Sequence, residues 1–347
     1  MENFNNEIGT KVRIKYIDAL RGFTMILVVV QHILVFTFGI QPYDTAFSNI
    51  FVTFRMPMFF FISGYIAYKA AMVWNKQLYI KNIKKKAIVQ LIPTAFFFIL
   101  FCFCNYQNPV SFFIEYGLSG YWFTFVLFEM FIIFYSVSML NKKYFDSIVV
   151  ALSVTGIIML VFMKQDENWW IWLSMKNLCK YFQFFALGLI AKKYNDKFLS
   201  IVKNDSFKAL MIIVFILCIV LVTRTSWGTD SFIGKNVIRS LLIRYSGLLV
   251  VFSFFVNKEK FFSKENKFNS CIQFIGKRTL DIYLIHYFLI PPLQDSMTAF
   301  INSSVITEVV VSTLIALIVV GMSLLISEVI RSSNLLGHYL LGAKLKN

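Results

Sequence analysis

Residues 16–32 read YIDALRGFTMILVVVQH, and this stretch decides the fold class. The apolar run inside it continues to residue 38 and reaches the roughly 20 residues that a helix needs to cross the hydrocarbon core of a membrane. The run is too long for a removable signal peptide, so we expect it to stay in the protein as a first transmembrane helix.

The composition indicates that the whole chain, and not only its first helix, is embedded in a membrane. Of 347 residues, 58% are hydrophobic and 15% are charged, whereas soluble domains are roughly 45–50% apolar and about 25% charged. This balance excludes a soluble enzyme. We predict an all-α polytopic membrane protein that forms one membrane-embedded unit over residues 1–347, with a helical core at about 17–330 and short tails at 1–16 and 331–347. The apolar runs predict ten transmembrane helices, at approximately 17–38, 47–70, 87–106, 120–140, 145–163, 170–191, 207–223, 236–256, 272–292 and 305–330.

The chain has 34 Lys and Arg against 18 Asp and Glu, a net charge of +16. In a soluble protein this excess would suggest a nucleic-acid partner. Here most cations fall in alternate short segments between the predicted helices, and such segments lie on the cytoplasmic side of membrane proteins. We therefore expect both termini in the cytoplasm, contact with membrane lipids and no nucleic-acid partner. The five cysteines show no C-x-x-C spacing, and no metal is expected.

Arg21 and His32 are the strongest functional candidates. They are eleven residues apart on the first predicted helix, which is about three turns and roughly 16 Å, so they share one face at different depths. A charge inside a membrane is costly and is by default a functional hypothesis. Histidine transfers protons near neutral pH and often acts as a general base. Simple packing against a neighbouring helix is the alternative for His32.

Other polar residues lie in predicted helices. Arg55 can orient a polar acceptor molecule or pair with a carboxylate, and Ser63 either offers a hydroxyl or allows close helix packing. Glu129 can pair with a buried cation or orient His32. The cations Lys176, Lys180, Arg239 and Arg244 favour an anionic ligand or form a structural ion-pair network, and Asp281, Tyr283 and His286 lie near one another on the ninth predicted helix.

Several short motifs occur together in order along the chain. They are Arg21 and His32 in an R-x10-H pattern, FFFISGY at 59–65, WF at 122–123, and Gly276 followed by IYLIH at 282–286. Together they resemble the acyltransferase 3 family of integral membrane acyltransferases. The RMPMF stretch at 55–59 is similar to the fucose 4-O-acetylase-like branch of that family.

The resemblance implies a ten-helix domain in the bacterial cytoplasmic membrane. It would transfer an acyl group, usually acetyl, from cytoplasmic acetyl-CoA to a hydroxyl of a cell-surface polysaccharide or its lipid-linked precursor. It also implies that His32 is catalytic and that Arg21 contacts the acyl donor.

Further roles follow from combining the resemblance with the chemistry of the residues. Lys84, Lys85 and Lys86 stand where the family often has arginines, so we expect them to meet the CoA phosphates as point charges. Glu129 is expected to assist catalysis. Arg55, Ser63, Trp122 and His286 are expected to bind the acceptor substrate.

Two other functions are compatible with a polar-lined helical bundle. A carrier or flippase for a glycan or glycolipid is one, although no matching pair of broken helices is visible in the two halves of the chain. A non-catalytic partner in a polysaccharide export complex is the other, but it would leave Arg21 and His32 unexplained. Within the enzyme hypothesis, the acyl group could also be succinyl or longer.

Overall fold

The computed structural model describes residues 13–42, 44–69, 74–140, 143–162, 171, 174–224, 236–293, 301 and 304–345, and all regular elements in these ranges are helical. The α-helices, in order, are α1 (Lys15–Phe38), α2 (Ala46–Ala67), α3 (Lys76–Lys86), α4 (Ile92–Cys104), α5 (Pro109–Tyr116), α6 (Trp122–Leu140), α7 (Phe145–Phe162), α8 (Met175–Lys193), α9 (Asn195–Lys203), α10 (Asp205–Arg224), α11 (Asn236–Asn257), α12 (Glu259–Ser263), α13 (Lys267–Lys277), α14 (Thr279–Ile285), α15 (Val305–Ser332) and α16 (Asn334–Leu341).

Seven segments in the described ranges are long and apolar enough to cross a membrane: α1, α2, the α3–α4 segment, α6, α7, α11 and α15. The pair α9 and α10, bent by 71° at its junction, could supply an eighth. These helices confirm the all-α polytopic class. The number of ten spans stays a prediction.

The third predicted helix begins earlier than expected. The helix starts at Lys76, eleven residues before the predicted start at 87, and passes through a π-helical turn at Ala87–Leu91 into α4. Lysine is a good helix former, and the Asn75 side chain caps α3 by accepting a hydrogen bond from the Leu78 amide. The lysines of this region therefore stand on a helix.

The ninth predicted helix, 272–292, is not continuous. It is split into α13, which ends at Lys277, and α14, and the chain then forms a 3-10 turn at His286–Phe288. Arg278, at the break, has a φ of −109° and a ψ of 18°, outside the helical region. The sixth predicted helix, 170–191, is observed as α8, and its predicted start falls mainly on residues outside the described ranges.

Helices α1 and α13 cross with their backbones in contact. A Cβ atom on Gly22 would lie 2.0 Å from the Ile272 carbonyl oxygen, and one on Gly276 would lie 1.8 Å from the Asp18 carbonyl oxygen. Small residues allow such an approach between membrane helices. Helices α2 and α8 meet in the same way, at Gly64 and Gly188.

One end of the bundle carries a group of basic residues. Arg331, at the end of α15, binds Asp281 at 2.7 and 2.8 Å, and Asp18 lies beside Gly276, so the start of α1 and the end of α15 lie at the same end. We call this the basic end, because it also carries Arg13, Lys69, Lys85 and Lys192. The far end is the opposite one, where Thr45 donates a hydrogen bond to Glu308 at the start of α15.

Candidate active site

Two histidines from distant parts of the chain meet in the bundle. The Nδ1 atom of His32 lies 2.7 Å from Nε2 of His286, and Nδ1 of His286 lies 2.9 Å from the Ile282 carbonyl oxygen. The split of the ninth predicted helix leaves His286 just after α14, at the start of the 3-10 turn, where it faces α1.

The hydrogen bonds assign the positions of the protons in the neutral pair. A carbonyl oxygen can only accept, so His286 must carry its proton on Nδ1 and present a lone pair at Nε2. His32 must then donate from Nδ1, which leaves its own Nε2 as a base. His286 is fully buried and both its ring nitrogens are engaged, so in this arrangement neither is left to contact a substrate. The geometry supports a positioning role for His286.

Tyr287 completes this group, and the sequence reasoning missed it. Its hydroxyl donates to the Gly120 carbonyl oxygen at 3.1 Å and lies 3.4 Å from Nε2 of His32. Its ring centroid is 4.9 Å from that of His32. The hydroxyl therefore has one proton and two acceptors within reach, the Gly120 carbonyl oxygen and the lone pair on Nε2 of His32. The only signal in the sequence was the position of Tyr287 next to His286.

Arg21 lies on the same helix nearer the basic end. Its Nη2 atom donates to the Thr279 hydroxyl at 2.7 Å, and the residue lines three neighbouring cavities. The first, about 440 Å³, also includes Arg13, Lys69 and Lys192. Of the other two, one lies toward the basic end with Lys69, Lys85 and Lys86, and one extends inward from Arg21 to Val28.

The second and third cavities form a path toward the histidines. The second, about 380 Å³, is polar and lined by Lys69, Lys85 and Lys86. The third, about 210 Å³, is mainly apolar and reaches Val28, which is one helical turn, or about 6 Å, before His32. Arg21, Ile62, Ser63, Val89, Gln90 and Leu127 line both cavities.

The structure places the three lysines that were predicted to bind CoA in two different sites. Lys86 lines the second cavity with Lys85, and its Nζ atom lies 3.5 Å from the centroid of the Phe131 ring. Lys84 instead lines a separate groove on the outer surface, which Lys85 shares. The geometry therefore brings Lys85 and Lys86 toward Arg21 but not Lys84.

The predicted acceptor-binding residues are also dispersed. Arg55 lies within electrostatic reach of both His32 and Tyr287. Ser63 lies on the cavity path, although its hydroxyl donates to the Phe59 carbonyl oxygen of its own helix at 2.8 Å. The ring of Trp122 stacks on Tyr181 of α8 with centroids 5.5 Å apart.

Glu129 does not face the cavities. The α6 residues that line them include Thr124, Leu127 and Phe131, and Glu129 is about 200° around the helix from Leu127. It lies within electrostatic reach of Cys179 of α8. No hydrogen bond among the described residues joins it to His32, and its catalytic role stays a prediction that the geometry does not support.

Asp281 is close to His286 in sequence but belongs to a different cluster. It accepts hydrogen bonds from Ser327 at 2.5 Å and from two nitrogens of Arg331 at 2.7 and 2.8 Å. A buried, bidentate arginine–carboxylate pair of this kind fixes the relative position of two helices. Asp281 thus holds α14 against α15 and keeps His286 in place indirectly.

Comparison with known proteins agrees with this architecture. The Acyl_transf_3 family model, an acyltransferase domain, matches residues 14–328. The match begins just before α1 and ends within α15, so it includes Arg21, His32 and His286. No curated protein and no solved structure gave a match. The chain therefore belongs to the acyltransferase 3 family and is a membrane acyltransferase.

Proposed function

We propose that the protein is an O-acyltransferase that moves acetyl from cytoplasmic acetyl-CoA to a hydroxyl of a cell-surface polysaccharide or its lipid-linked precursor. The proposal locates it in the bacterial cytoplasmic membrane. The observation that carries it is the orientation of His32, whose Nδ1 is engaged by His286 at 2.7 Å while Nε2 is left as a base.

The proposed reaction is direct transfer. Nε2 of His32 takes the proton of the acceptor hydroxyl, and the oxygen attacks the thioester carbonyl of the donor. A carbon–oxygen bond forms, the carbon–sulfur bond breaks, and the proton passes from His32 to the departing CoA thiolate. In the alternative covalent route, Nε2 itself carries the acyl group. A labelled acyl-enzyme isolated in the absence of acceptor would identify that route.

The cavity path supports an approach of the donor from the basic end. Its opening carries Lys69, Lys85 and Lys86, whose charges suit the CoA phosphates, and Arg21 follows further inward. The apolar third cavity suits the pantetheine arm and a short acyl group, and it stops about one turn from His32. Acetyl is the simplest acyl group that fits this space. We also propose that the protein is related to the fucose 4-O-acetylase-like branch of the family.

The acceptor would approach the opposite side of His32. Arg55 and Tyr287 are the polar side chains near the histidine pair there. An arginine can hold sugar hydroxyls or a phosphate of a lipid carrier through its fork of donors. In this proposal Ser63 lies on the donor path, and the predicted acceptor contact of Trp122 stays a prediction.

Purified protein incubated with labelled acetyl-CoA and membrane glycolipid should release free CoA and transfer the label to the glycan. Mass spectrometry of surface glycans from a deletion strain would identify the acceptor as the species that loses its acyl groups. A carrier or flippase would leave the donor intact. Intact donor after prolonged incubation with active membranes would contradict the proposal.

Replacing His286 by alanine is expected to lower kcat about a hundredfold, because His32 loses the acceptor that fixes its proton and its orientation. The KM for the acyl donor should change little, since His286 does not line the cavity path. Steady-state kinetics in detergent would separate the two parameters. The variant His286→Gln offers an amide oxygen as acceptor and should recover part of the loss. Equal kcat in the wild type and His286→Ala would contradict the positioning role.

Replacing Arg21 by glutamine is expected to raise the KM for acetyl-CoA about tenfold, because one charge on the donor path is lost. Lys197→Gln is the matched control, since it removes an equal charge from an exposed residue of α9 that lies away from the cavity path. Its KM should lie close to that of the wild type. A KM that is unchanged in Arg21→Gln would show that Arg21 does not contact the donor.

A further inference from the structure

A second basic site lies on the outer surface of the basic end and shares only Lys85 and Val89 of its lining residues with the cavity path. It is a groove of about 650 Å³ between α3 and the C-terminal segment that follows α16. Lys81, Lys84, Lys85 and Lys344 line it, and none of the described residues that line it is acidic. Isoleucines 80 and 88 give it an apolar floor. The groove thus combines positive charge with hydrophobic surface.

The C-terminal wall of the groove is fixed in place. Gly342 has a φ of 60°, a left-handed conformation that favours glycine, and a Cβ there would lie 2.7 Å from the Val89 carbonyl oxygen. The backbone therefore sits directly on the π-helical turn. Nδ1 of His338 lies 2.7 Å from the Ala343 carbonyl oxygen, which holds the segment in its turn. The position of Lys344 opposite α3 follows from these contacts.

The apolar floor continues along the membrane-facing side of α4. Ile80 is 41% exposed, Ile92 is 42% exposed and Phe96 is 43% exposed. Side chains four residues apart lie on the same face of a helix, so Ile88, Ile92 and Phe96 form one apolar stripe that starts in the groove. The helix that carries the stripe is one of the membrane spans.

We propose that this groove binds an anionic phospholipid. The phosphate of the headgroup lies between Lys81, Lys84 and Lys344, and an acyl chain follows the stripe from Ile88 along α4. Lysines at the membrane surface attract anionic headgroups, and the stripe provides the hydrophobic contact that a soluble phosphate compound would not use. The acyl donor fits the other side of α3 better, where Lys86 and Arg21 lie.

Lipid binding to the purified protein tests the proposal. Native mass spectrometry would measure the binding of phosphatidylglycerol and of phosphatidylcholine to the wild type and to the triple variant Lys81→Gln, Lys84→Gln, Lys344→Gln. The triple variant is expected to bind phosphatidylglycerol about tenfold more weakly. The control carries Lys197→Gln, Lys203→Gln and Lys260→Gln, an equal change of charge on exposed lysines of α9 and α12, and should bind it as the wild type does.

Two arms separate the possible sources of the phosphate. Inorganic phosphate and free CoA should not displace phosphatidylglycerol, and displacement at equal concentration would assign the lysines to a soluble ligand and overturn the proposal. Photoactivatable phosphatidylglycerol on the wild type should label peptides that contain residues 80–92 or 342–345. This labelling experiment uses only the wild-type protein, so it does not depend on the folding of a variant. Labelling elsewhere, or equal binding by both triple variants, would overturn the proposal.

Discussion

Replacement of His32 by alanine is expected to lower acyl transfer by about a thousandfold or more. The change removes Nε2, the atom proposed to take the proton from the acceptor, and general bases contribute about 10²–10⁴-fold to rates. Release of CoA from acetyl-CoA by purified protein, with glycolipid acceptor present, measures the effect. The same preparation should elute from size exclusion as the wild type does, since His32 is only partly buried.

Phe103→Ala is the matched control for this loss. It also removes an aromatic ring from a membrane helix, but Phe103 is 67% exposed and does not line the cavity path. Its activity should stay near that of the wild type. The double variant His32→Ala, His286→Ala should be no slower than His32→Ala, because residues that act as one unit are not additive. Activity retained in His32→Ala would contradict the mechanism and the assignment of the site.

Replacement of Gly276 by alanine is expected to destabilise the fold by at least about 3 kcal/mol. The new Cβ would lie 1.8 Å from the Asp18 carbonyl oxygen, which is backbone and cannot rotate away. Helices α1 and α13 would have to separate, and that movement would also disturb the contact between His32 and His286. Thermal unfolding in detergent measures the loss.

Gly321→Ala serves as the control for Gly276→Ala. A Cβ on Gly321 meets no atom of the described residues within 4 Å, and alanine is favoured over glycine in a helix by about 1 kcal/mol. This variant should be as stable as the wild type or slightly more stable. If Gly276→Ala unfolds at the same temperature as Gly321→Ala, the close crossing of α1 and α13 is wrong.

The helical class could be predicted from sequence because membrane-spanning helices are recognisable as long, apolar runs of residues. The run at 17–38 corresponds to α1, which ends at the same residue, Phe38. The break at Arg278 could not be predicted in this way, since the apolar run continues through it. It depends on the packing of α13 against α1 and of α14 against α15, both of which are contacts across the bundle.

The site was partly predictable for a similar reason. Arg21 and His32 lie on one helix, so their spacing alone puts them on one face. The partner of His32 is 254 residues away in sequence, and no local pattern indicates which helix α1 will cross. The α3 lysines show a further limit: three consecutive residues on a helix point in different directions, and this divides Lys84 from Lys86.

The proton arrangement of the histidine pair has a consequence for the order of events in the proposed reaction. Both imidazoles donate in the same direction, from His32 to His286 and from His286 to the Ile282 carbonyl oxygen. This chain of hydrogen bonds ends at the Ile282 carbonyl oxygen, which already accepts a hydrogen bond and cannot pass a proton on. A proton that enters at Nε2 of His32 must leave from the same atom. In the direct route, the hydroxyl that loses the proton and the sulfur that receives it must therefore both come within reach of Nε2 of His32, so donor and acceptor have to be bound together.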